Sequence, residues 1–260
     1  MIKKTMNIND EITSEGIKKY TNCLKKIIVK DVTESTNKDA KELGVTGEEE
    51  GTLVVSKMQT SGRGRMDRSF FSPDESGIYM TVLLRPQMTA EKSLLITTAA
   101  AVAVSLALDE ILNINTQIKW VNDIYFKNKK VCGILAESVF SGNESFCVLG
   151  IGINVYPPAD GFPKDIENKA GFLTANVETD LKNRIIAGVL NKFFVYYENL
   201  EAKTFYNEYK NKNLLKGKVV DVPGRGTAKV LDIDEEFRLV VEFEDKNKAA
   251  LMTGEVVINL

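Results

Sequence analysis

The sequence has 260 residues, of which 43% are hydrophobic and 27% are charged, and its formal net charge is −2. These values are typical of an ordinary globular protein, and the near-neutral charge excludes bulk attraction to nucleic acid or to anionic lipid. The chain contains no histidine, which excludes Ser-His-Asp triads, Cys-His pairs and histidine-ligated zinc sites.

The first half of the chain predicts strands and helices in alternation. A strand-like run at Ile27–Val32 leads into a short polar helix at Asn37–Leu43. Thr36 and Asp39 have the spacing of a capping box, and Gly44 is a natural residue to end this helix. The pair Ser35-Thr36 therefore either caps the helix or contacts a ligand. The next predicted elements are strands at Thr52–Ser56 and Ile78–Leu84 and a long helix from Thr89 to about Leu112.

The second half predicts more strands, then a helical region, then a change of character at Gly217. The predicted elements are strands at Ile118–Phe126, Val131–Val139 and Cys147–Val155, a loop at Pro157–Leu173 and helix over Thr179–Asn213. Four short strands follow at Lys218–Asp221, Thr227–Ile233, Phe237–Glu244 and Ala249–Met252. Short strands at regular spacing with turns between them indicate a small antiparallel barrel.

The most apolar run, Leu94–Leu108, is interrupted by hydroxyl side chains and is too short to span a bilayer comfortably, so we expect a buried helix and no membrane association. The N-terminus has no apolar core of signal-peptide length. The three cysteines, Cys23, Cys132 and Cys147, are odd in number and lack metal-ligand spacing. We interpret them as buried, reduced thiols of a cytoplasmic protein.

A segment rich in arginine and glycine, Gln59–Pro73, is the strongest candidate for a ligand-binding loop, and we call it the arginine loop. It contains Arg63, Arg65 and Arg68, whose planar donor groups match phosphate and carboxylate oxygens. The alternative is a solvated basic turn, because the Gly-Arg-Gly triplet recurs at 224–226 in what reads as a hairpin turn. The segments around the loop must therefore distinguish a ligand-binding loop from a solvated turn.

Those surroundings resemble the biotin–protein ligases. Four segments stand in the order of that family, namely Glu34–Asn37, the arginine loop, Ile118–Leu135 and Leu149–Val155, and the Thr-Gly-Glu-Val motif follows at 253–256. The resemblance covers residues 27–260. It implies an α+β fold in which a mixed-sheet biotin/lipoate ligase-like catalytic domain at 1–215 precedes an SH3-like β-barrel domain at 216–260.

The resemblance also implies two half-reactions with ATP, Mg²⁺ and biotin. Biotin is first activated to biotinyl-5′-AMP and is then transferred to a lysine of a biotin carboxyl carrier domain. The family pattern assigns catalytic roles to Arg65, Lys119, Asp123 and Lys130, with Asp123 also as the metal ligand. It assigns biotin and nucleotide binding to Ser35, Thr36, Asn37, Gln59, Gly62, Arg63, Gly64, Arg65, Arg68, Phe70, Asn122, Lys130, Gly150, Ile153 and Asn154.

Several alternatives stay open. Lys129 replaces Lys130 if the register slips by one residue, and Trp120 reads as a core residue. Three positions depart from the family pattern: Asp67 stands at a usual glycine, Phe70 at a usual tryptophan and Val121 at a usual proline.

About 30 residues precede the first catalytic strand, too few for a helix-turn-helix module, so we expect a monofunctional ligase without nucleic-acid binding. A homodimer is left open. The competing functions are a lipoate or octanoyl ligase and a non-catalytic sensor of biotin or nucleotide.

Overall fold

A seven-stranded mixed sheet and a four-stranded antiparallel sheet organise the chain. The computed structural model describes residues 10–66, 68–86, 93–141, 144–252, 254 and 256–258. The helices are α1 Ser14–Lys18, α2 Thr36–Val45, α3 Ser93–Leu112, α4 Leu181–Tyr197 and α5 Tyr206–Asn211. The strands of the first sheet are β1 Lys26–Thr33, β2 Thr52–Gln59, β3 Gly77–Leu84, β4 Gln117–Lys119, β5 Asp123–Phe126, β6 Lys129–Ser141 and β7 Glu144–Asn154. Those of the second sheet are β8 Val219–Val222, β9 Gly226–Ile233, β10 Leu239–Phe243 and β11 Lys248–Leu251.

The first sheet has the strand order β1-β2-β3-β7-β6-β5-β4. Only β1 and β2 pair in parallel, and every other pair is antiparallel. The second sheet has the order β11-β10-β9-β8. The predicted α+β fold, with a mixed sheet followed by a small antiparallel sheet, is confirmed at this level.

The two faces of the first sheet carry different layers. Leu53 and Val55 of β2 join the main core beneath α3 and α4, whereas Val54 joins a smaller cluster beneath α2. Successive side chains of a strand point to opposite faces, so this alternation assigns each residue of the sheet to one layer. The same alternation on β7 places Gly150 and Gly152 on the α2 face.

Helix α3 is the core of the larger layer. By length and composition it is the one helix among the described residues that could cross a membrane. Its residues Ala99 to Val104 are fully buried, and it packs against α4 and the sheet. The prediction of a buried helix is confirmed, although Thr89, its predicted cap, lies outside the described residues.

Four predictions about helices and strands are wrong. Helix α2 continues through Gly44 to Val45. Gly44 lets the helix pack closely against Phe146, since a β-carbon there would lie 2.4 Å from the Phe146 ring. Ser35 is the N-cap and its side chain makes no capping bond, while Asp39 accepts from Thr33 Oγ1 instead of closing a capping box.

The other two corrections concern continuity. The predicted strand Ile118–Phe126 is two antiparallel strands, β4 and β5, separated by a turn at 120–122. The predicted helix Thr179–Asn213 is broken after α4 by a short 3-10 turn at Leu200–Ala202 and by Lys203, whose φ of 51° is left-handed. A left-handed residue cannot continue a right-handed helix.

All three cysteines carry free thiols, as predicted. Cys132 and Cys147 are buried, and burial raises the pKa of Cys147 to about 12. Cys23 is only half-buried, so the prediction of burial is wrong for that residue.

Candidate active site

A cavity opens on the α2 face of the first sheet, between the start of α2, the arginine loop and the β4–β5 turn. It brings together fourteen of the seventeen residues singled out from the sequence. These are Ser35, Thr36, Asn37, Gln59, Arg63, Gly64, Arg65, Arg68, Phe70, Lys119, Asn122, Asp123, Lys130 and Gly150. The remaining three, Gly62, Ile153 and Asn154, do not line it.

One end of the cavity, which we call the polar floor, consists of Ser35, Thr36, Asn37 and Gln59. All but Gln59 are buried. Gln59 Oε1 accepts hydrogen bonds from the backbone N–H of Thr36 at 2.9 Å and from its hydroxyl at 3.1 Å, and Gln59 Nε2 donates to Ser72 Oγ at 2.9 Å. These bonds fix the orientation of the Gln59 amide, so this end is preorganised.

Asn37 is held equally firmly. Its Nδ2 donates to Glu137 Oε2 at 2.7 Å, and its Oδ1 accepts from the Thr81 hydroxyl at 2.7 Å. A β-carbon on Gly150 would lie 2.1 Å from Asn37 Oδ1. Gly150 is therefore the residue of the central strand that leaves room for the Asn37 side chain.

The arginine loop folds back as a hairpin over the cavity. Phe70 N–H donates to the Gly62 carbonyl at 2.8 Å, and Gly64 N–H donates to the Arg68 carbonyl at 2.7 Å. Gly62 does not line the cavity, but a β-carbon there would lie 2.4 Å from the Phe70 carbonyl oxygen. Its role in this structure is the close approach of the two arms of the hairpin.

The hairpin directs the Phe70 ring onto the sheet. A β-carbon on Gly152 would lie 2.5 Å from that ring, and one on Gly133 would lie 3.2 Å from it. Tyr79, which pairs with Gly152 across strands, meets the ring edge-on at 6.4 Å between centroids. Burial raises the pKa of Tyr79, so its hydroxyl stays protonated and donates to the Pro73 carbonyl.

The opposite end, which we call the charged end, consists of Lys119, Asn122, Asp123 and Lys130. Lys130 Nζ lies 2.7 Å from Asp123 Oδ1. That buried oxygen is in contact with a cation but receives no properly directed hydrogen bond. Lys119 is 8% exposed, so the charged end places a second ammonium group against the cavity with little access to solvent.

A β-bulge explains why Lys130 and not Lys129 enters the cavity. The pairing of β5 with β6 shifts between Ile124 and Tyr125, and bulges re-aim side chains in this way. The backbone of Lys130 is pinned in both directions, since its N–H donates to the Lys169 carbonyl and its carbonyl accepts from Gly171. Lys129 Nζ instead reaches the Asn168 carbonyl on the exposed side.

The second sheet contributes to the charged end. Trp120 lines the cavity, and its buried indole Nε1 donates to the Phe237 carbonyl at 2.9 Å. The Tyr209 hydroxyl, from α5, donates to the Val121 carbonyl at 3.0 Å. The turn that carries Asn122 into the cavity is thus bonded on both sides to the C-terminal part of the chain.

Arg65 connects the arginine loop to the β4–β5 turn and to the C-terminal part of the chain. Its Nη1 donates to Asn122 Oδ1 at 3.1 Å, and its Nη2 lies 3.5 Å from the Gly254 carbonyl, which also lines the cavity. Asn122 is in turn fixed by the bond from its Nδ2 to the Ile134 carbonyl at 2.7 Å.

Two predicted residues at the end of β7 do not line the cavity. Ile153 points to the opposite face of β7 and is fully buried in the main core. Asn154 lies at the end of the same strand, where its Nδ2 donates to the Gly171 carbonyl at 2.9 Å. Asp67 lies outside the described residues.

Sequence reasoning missed several residues that line the cavity. They are Met66, Ser69, Tyr79, Met80, Trp120, Gly133, Ile134, Leu135, Ile151, Gly152 and Gly254. The pairing of Tyr79 with Gly152, and of Gly152 with Gly133, places a row of the sheet beneath Phe70. Period-two alternation from Gly150 could have identified that row, whereas nothing local could have identified Gly254.

The cavity is strongly cationic. Among the described residues its lining contains five cationic side chains, Arg63, Arg65, Arg68, Lys119 and Lys130, and one carboxylate, Asp123. Guanidinium and ammonium groups around one cavity favour a phosphate-bearing ligand. The polar floor has no charged member and suits a neutral group with paired donors and acceptors.

Comparisons with known proteins point in one direction. A sequence profile of the biotin/lipoate A/B protein ligase family matches residues 29–154. The chain is 42% identical over 149 residues to the bifunctional ligase/repressor BirA of Bacillus spizizenii, a match that covers 57% of this chain and 46% of that protein. It is 26% identical to the biotin–[acetyl-CoA-carboxylase] ligase of Mycobacterium tuberculosis, with 86% of each chain covered.

A solved structure agrees with these matches. The biotin protein ligase of Aquifex aeolicus in complex with biotin and ATP superposes with a TM-score of 0.78 at 29% identity, covering 90% of this chain and 98% of that one. The chain spans about half the length of the Bacillus relatives that it matches. The chain is therefore similar to the biotin/lipoate A/B protein ligase family over residues 29–154.

Proposed function

We propose that this chain is an ATP-dependent biotin–protein ligase. The observation that carries the proposal is a single cavity with two unlike ends, a neutral hydrogen-bonding floor and a cationic end that includes one carboxylate. Biotin has the same two characters, a neutral cyclic urea and a carboxylate. A cavity lined by five basic side chains among the described residues also suits the triphosphate of ATP.

In the first half-reaction a carboxylate oxygen of biotin attacks the α-phosphorus of ATP. A bond forms between that oxygen and phosphorus, the bond to the β-phosphate breaks, and pyrophosphate leaves. The chain has no histidine, and the step needs none because a carboxylate is already ionised at neutral pH. Lys130, Lys119 and Arg65 would neutralise the negative charge that spreads over the phosphates.

In the second half-reaction a lysine amine of a biotin carboxyl carrier domain attacks the acyl carbon of biotinyl-5′-AMP, and AMP leaves. The mixed anhydride is reactive towards water, so the cavity must stay closed until the acceptor arrives. The hairpin of the arginine loop, with Phe70 against the sheet, has the position of such a cover.

The residues present fit a bound Mg²⁺. Asp123 Oδ1 is buried without a directed hydrogen bond, and Mg²⁺ is commonly held by one or two carboxylates together with substrate phosphates. When bound, the ion would neutralise phosphate charge. Asp123 would hold it, and Lys130 would then be released from its ion pair to contact substrate oxygens.

The proposal extends to the arrangement of the chain. The segments 1–215 and 216–260 would act as a catalytic domain and an SH3-like barrel. The bridge between Asp221 and Val257, which adds a further pairing beside β8, supports closure of the second sheet. The three free thiols fit a protein that works in the cytoplasm.

Pyrophosphate release from ATP tests the proposal, with biotin, lipoate and octanoate compared at equal concentrations. We expect release with biotin only, because the polar floor offers hydrogen-bonding groups that a bare acyl chain cannot satisfy. Release with lipoate or octanoate instead would assign the chain to those ligases. No release with any acid, together with measurable biotin binding, would indicate a sensor.

A further inference from the structure

Glu137 lies outside the cavity, yet it ends the hydrogen-bond network of the polar floor. Its Oε2 accepts from Asn37 Nδ2 at 2.7 Å, and its Oε1 accepts from Lys41 Nζ at 2.7 Å. It stands on β6 two residues beyond the cavity residue Leu135, on the same face of the strand. Both side chains of the Glu137–Lys41 pair are mostly shielded from solvent, with 22% and 27% of their surfaces exposed.

A carboxylate can only accept hydrogen bonds, and this property fixes the neighbouring groups. The Asn37 amide must turn its nitrogen to Glu137, so its oxygen must face Thr81 and accept from that hydroxyl at 2.7 Å. An amide by itself has two orientations of nearly equal shape. Glu137 removes that ambiguity for Asn37.

The fixed direction passes on to Thr36. A hydroxyl has one proton, and Thr81 gives its proton to Asn37. The 2.8 Å contact between the Thr81 and Thr36 oxygens is therefore made with the proton of Thr36, or that proton goes to Gln59 Oε1 at 3.1 Å. In both arrangements Thr36 donates its proton within the floor and does not accept one from Thr81, so the direction set at Glu137 reaches Thr36.

Lys41 keeps that group ionised and in place. Partial burial opposes ionisation of Glu137, but the hydrogen bonds from Lys41 and Asn37 outweigh it, so the pKa of Glu137 lies below its ordinary value. Lys41 stands on α2 one turn after Asn37. The lysine and the amide thus reach the same carboxylate from one face of the helix.

We infer that Glu137 is a positioning residue that sets the direction of the hydrogen-bond chain through Asn37, Thr81 and Thr36 and thereby the recognition of a neutral cyclic urea. The inference rests on the proposed function, since it names the cyclic urea as the group that the polar floor binds. It assigns Glu137 no contact with substrate. Its effect is on affinity for biotin and not on the charged end of the cavity.

The test is Glu137→Gln, which keeps the size of the side chain but can also donate. The Asn37 amide is then free to turn over, and the floor loses its fixed pattern. We expect biotin affinity, measured by titration calorimetry without ATP, to fall about 10-fold or more. The KM for ATP in the pyrophosphate assay should stay within about 2-fold, because the charged end keeps all its contacts.

Two further variants keep the test decisive. Glu110→Gln breaks an exposed ion pair of the same type, with Lys192 at 2.7 Å, neither member of which lines the cavity, and should change neither constant. Thr81→Val interrupts the chain one step further on and should weaken biotin binding as Glu137→Gln does. Thr81→Val serves as the substitute if Glu137→Gln fails to fold.

The outcomes separate this inference from the proposed function. Equal biotin affinity in wild type and Glu137→Gln would overturn the inference alone. A rise in both KM values by the same factor, with a lower melting temperature, would show a merely structural role. If the wild-type chain neither binds biotin nor releases pyrophosphate with it, the proposed function itself fails.

Discussion

The two ends of the cavity are built differently. Ser35, Thr36 and Asn37 of the polar floor are 2%, 3% and 5% exposed, and the side chains of Thr36 and Asn37 are bonded to neighbours on the central strands. Lys130 and Asn122 of the charged end lie on a bulge and a turn, and Arg65 comes from a hairpin. The floor is fixed by bonds to strands of the sheet, while the charged end is carried on a bulge and a turn.

The proposed function accounts for this difference between the two ends. A neutral group gains affinity only where donors and acceptors are already aligned, because misaligned ones remain unsatisfied when buried. Phosphate groups are attracted over longer distances and tolerate displacement, since charge–charge attraction falls off slowly. Under the proposed function, substrate discrimination would belong to the floor and rate acceleration to the charged end.

The largest expected effect comes from comparing two neighbouring lysines, of which only Lys130 belongs to the charged end. Lys130→Met removes the ammonium that lies 2.7 Å from Asp123, and we expect adenylation to slow roughly 100- to 1,000-fold, as for loss of a group that stabilises developing charge. Lys129→Met is the matched control, since Lys129 Nζ contacts only the Asn168 carbonyl on the outside. Single-turnover formation of the adenylate measures both. Equal losses in the two variants would contradict the assignment of Lys130.

The next effect tests the rigidity of the floor. Gly150→Ala places a β-carbon 2.1 Å from Asn37 Oδ1, and the backbone cannot retreat because β7 is bonded on both sides. Overpacking of this kind costs about 1–3 kcal/mol, so we expect biotin affinity to fall about 10- to 100-fold with ATP affinity little changed.

Gly188→Ala on α4 is the control for Gly150→Ala. A β-carbon there would lie 3.0 Å from the end of the Ile111 side chain, which can shift, and in ordinary contact with Ala107 at 3.7 Å. Titration calorimetry with biotin and with ATP checks both variants. A floor that accepts alanine at position 150 without loss of biotin affinity would not be preorganised.

The smallest effect tests whether the second sheet supports the charged end. Trp120→Phe keeps an aromatic ring but removes the N–H that donates to the Phe237 carbonyl. We expect the KM for ATP to rise about 10-fold, as for one buried hydrogen bond, without a change in biotin affinity. Tyr206→Phe removes a similar bond, to the Ile233 carbonyl, without touching the cavity. The same rise in both variants would indicate general loosening instead.

The family pattern predicted most of the cavity because its residues occupy short segments with local signatures. The arginine loop, the segment from Lys119 to Asp123 and Gly150 lie together as expected. Ile153 was assigned to the site because it shares a segment with Gly150, yet it has the opposite parity on the strand. Attention to period-two alternation would have placed it in the core.

The residues that sequence reasoning missed act over long separations. Glu137 and Asn37 are 100 positions apart, and Trp120 and Phe237 are 117 apart. No local pattern indicates such pairs, since they depend on strand register and on the docking of one sheet against another. The break between β4 and β5 was missed because Trp120 and Val121, at the start of the turn, are buried apolar residues that resemble part of a strand, although Asn122 and Asp123 after them are residue types common in turns.

The most direct measurement is mass-spectrometric detection of the acyl-adenylate formed by the purified chain in a single turnover. The chain is mixed with ATP, Mg²⁺ and an equimolar mixture of biotin, lipoate and octanoate, and bound small molecules are recovered after rapid denaturation. We predict about one equivalent of biotinyl-5′-AMP per chain and no lipoyl or octanoyl adenylate. An adenylate of another acid, or bound biotin with intact ATP, would contradict the assignment of the two ends of the cavity to biotin activation.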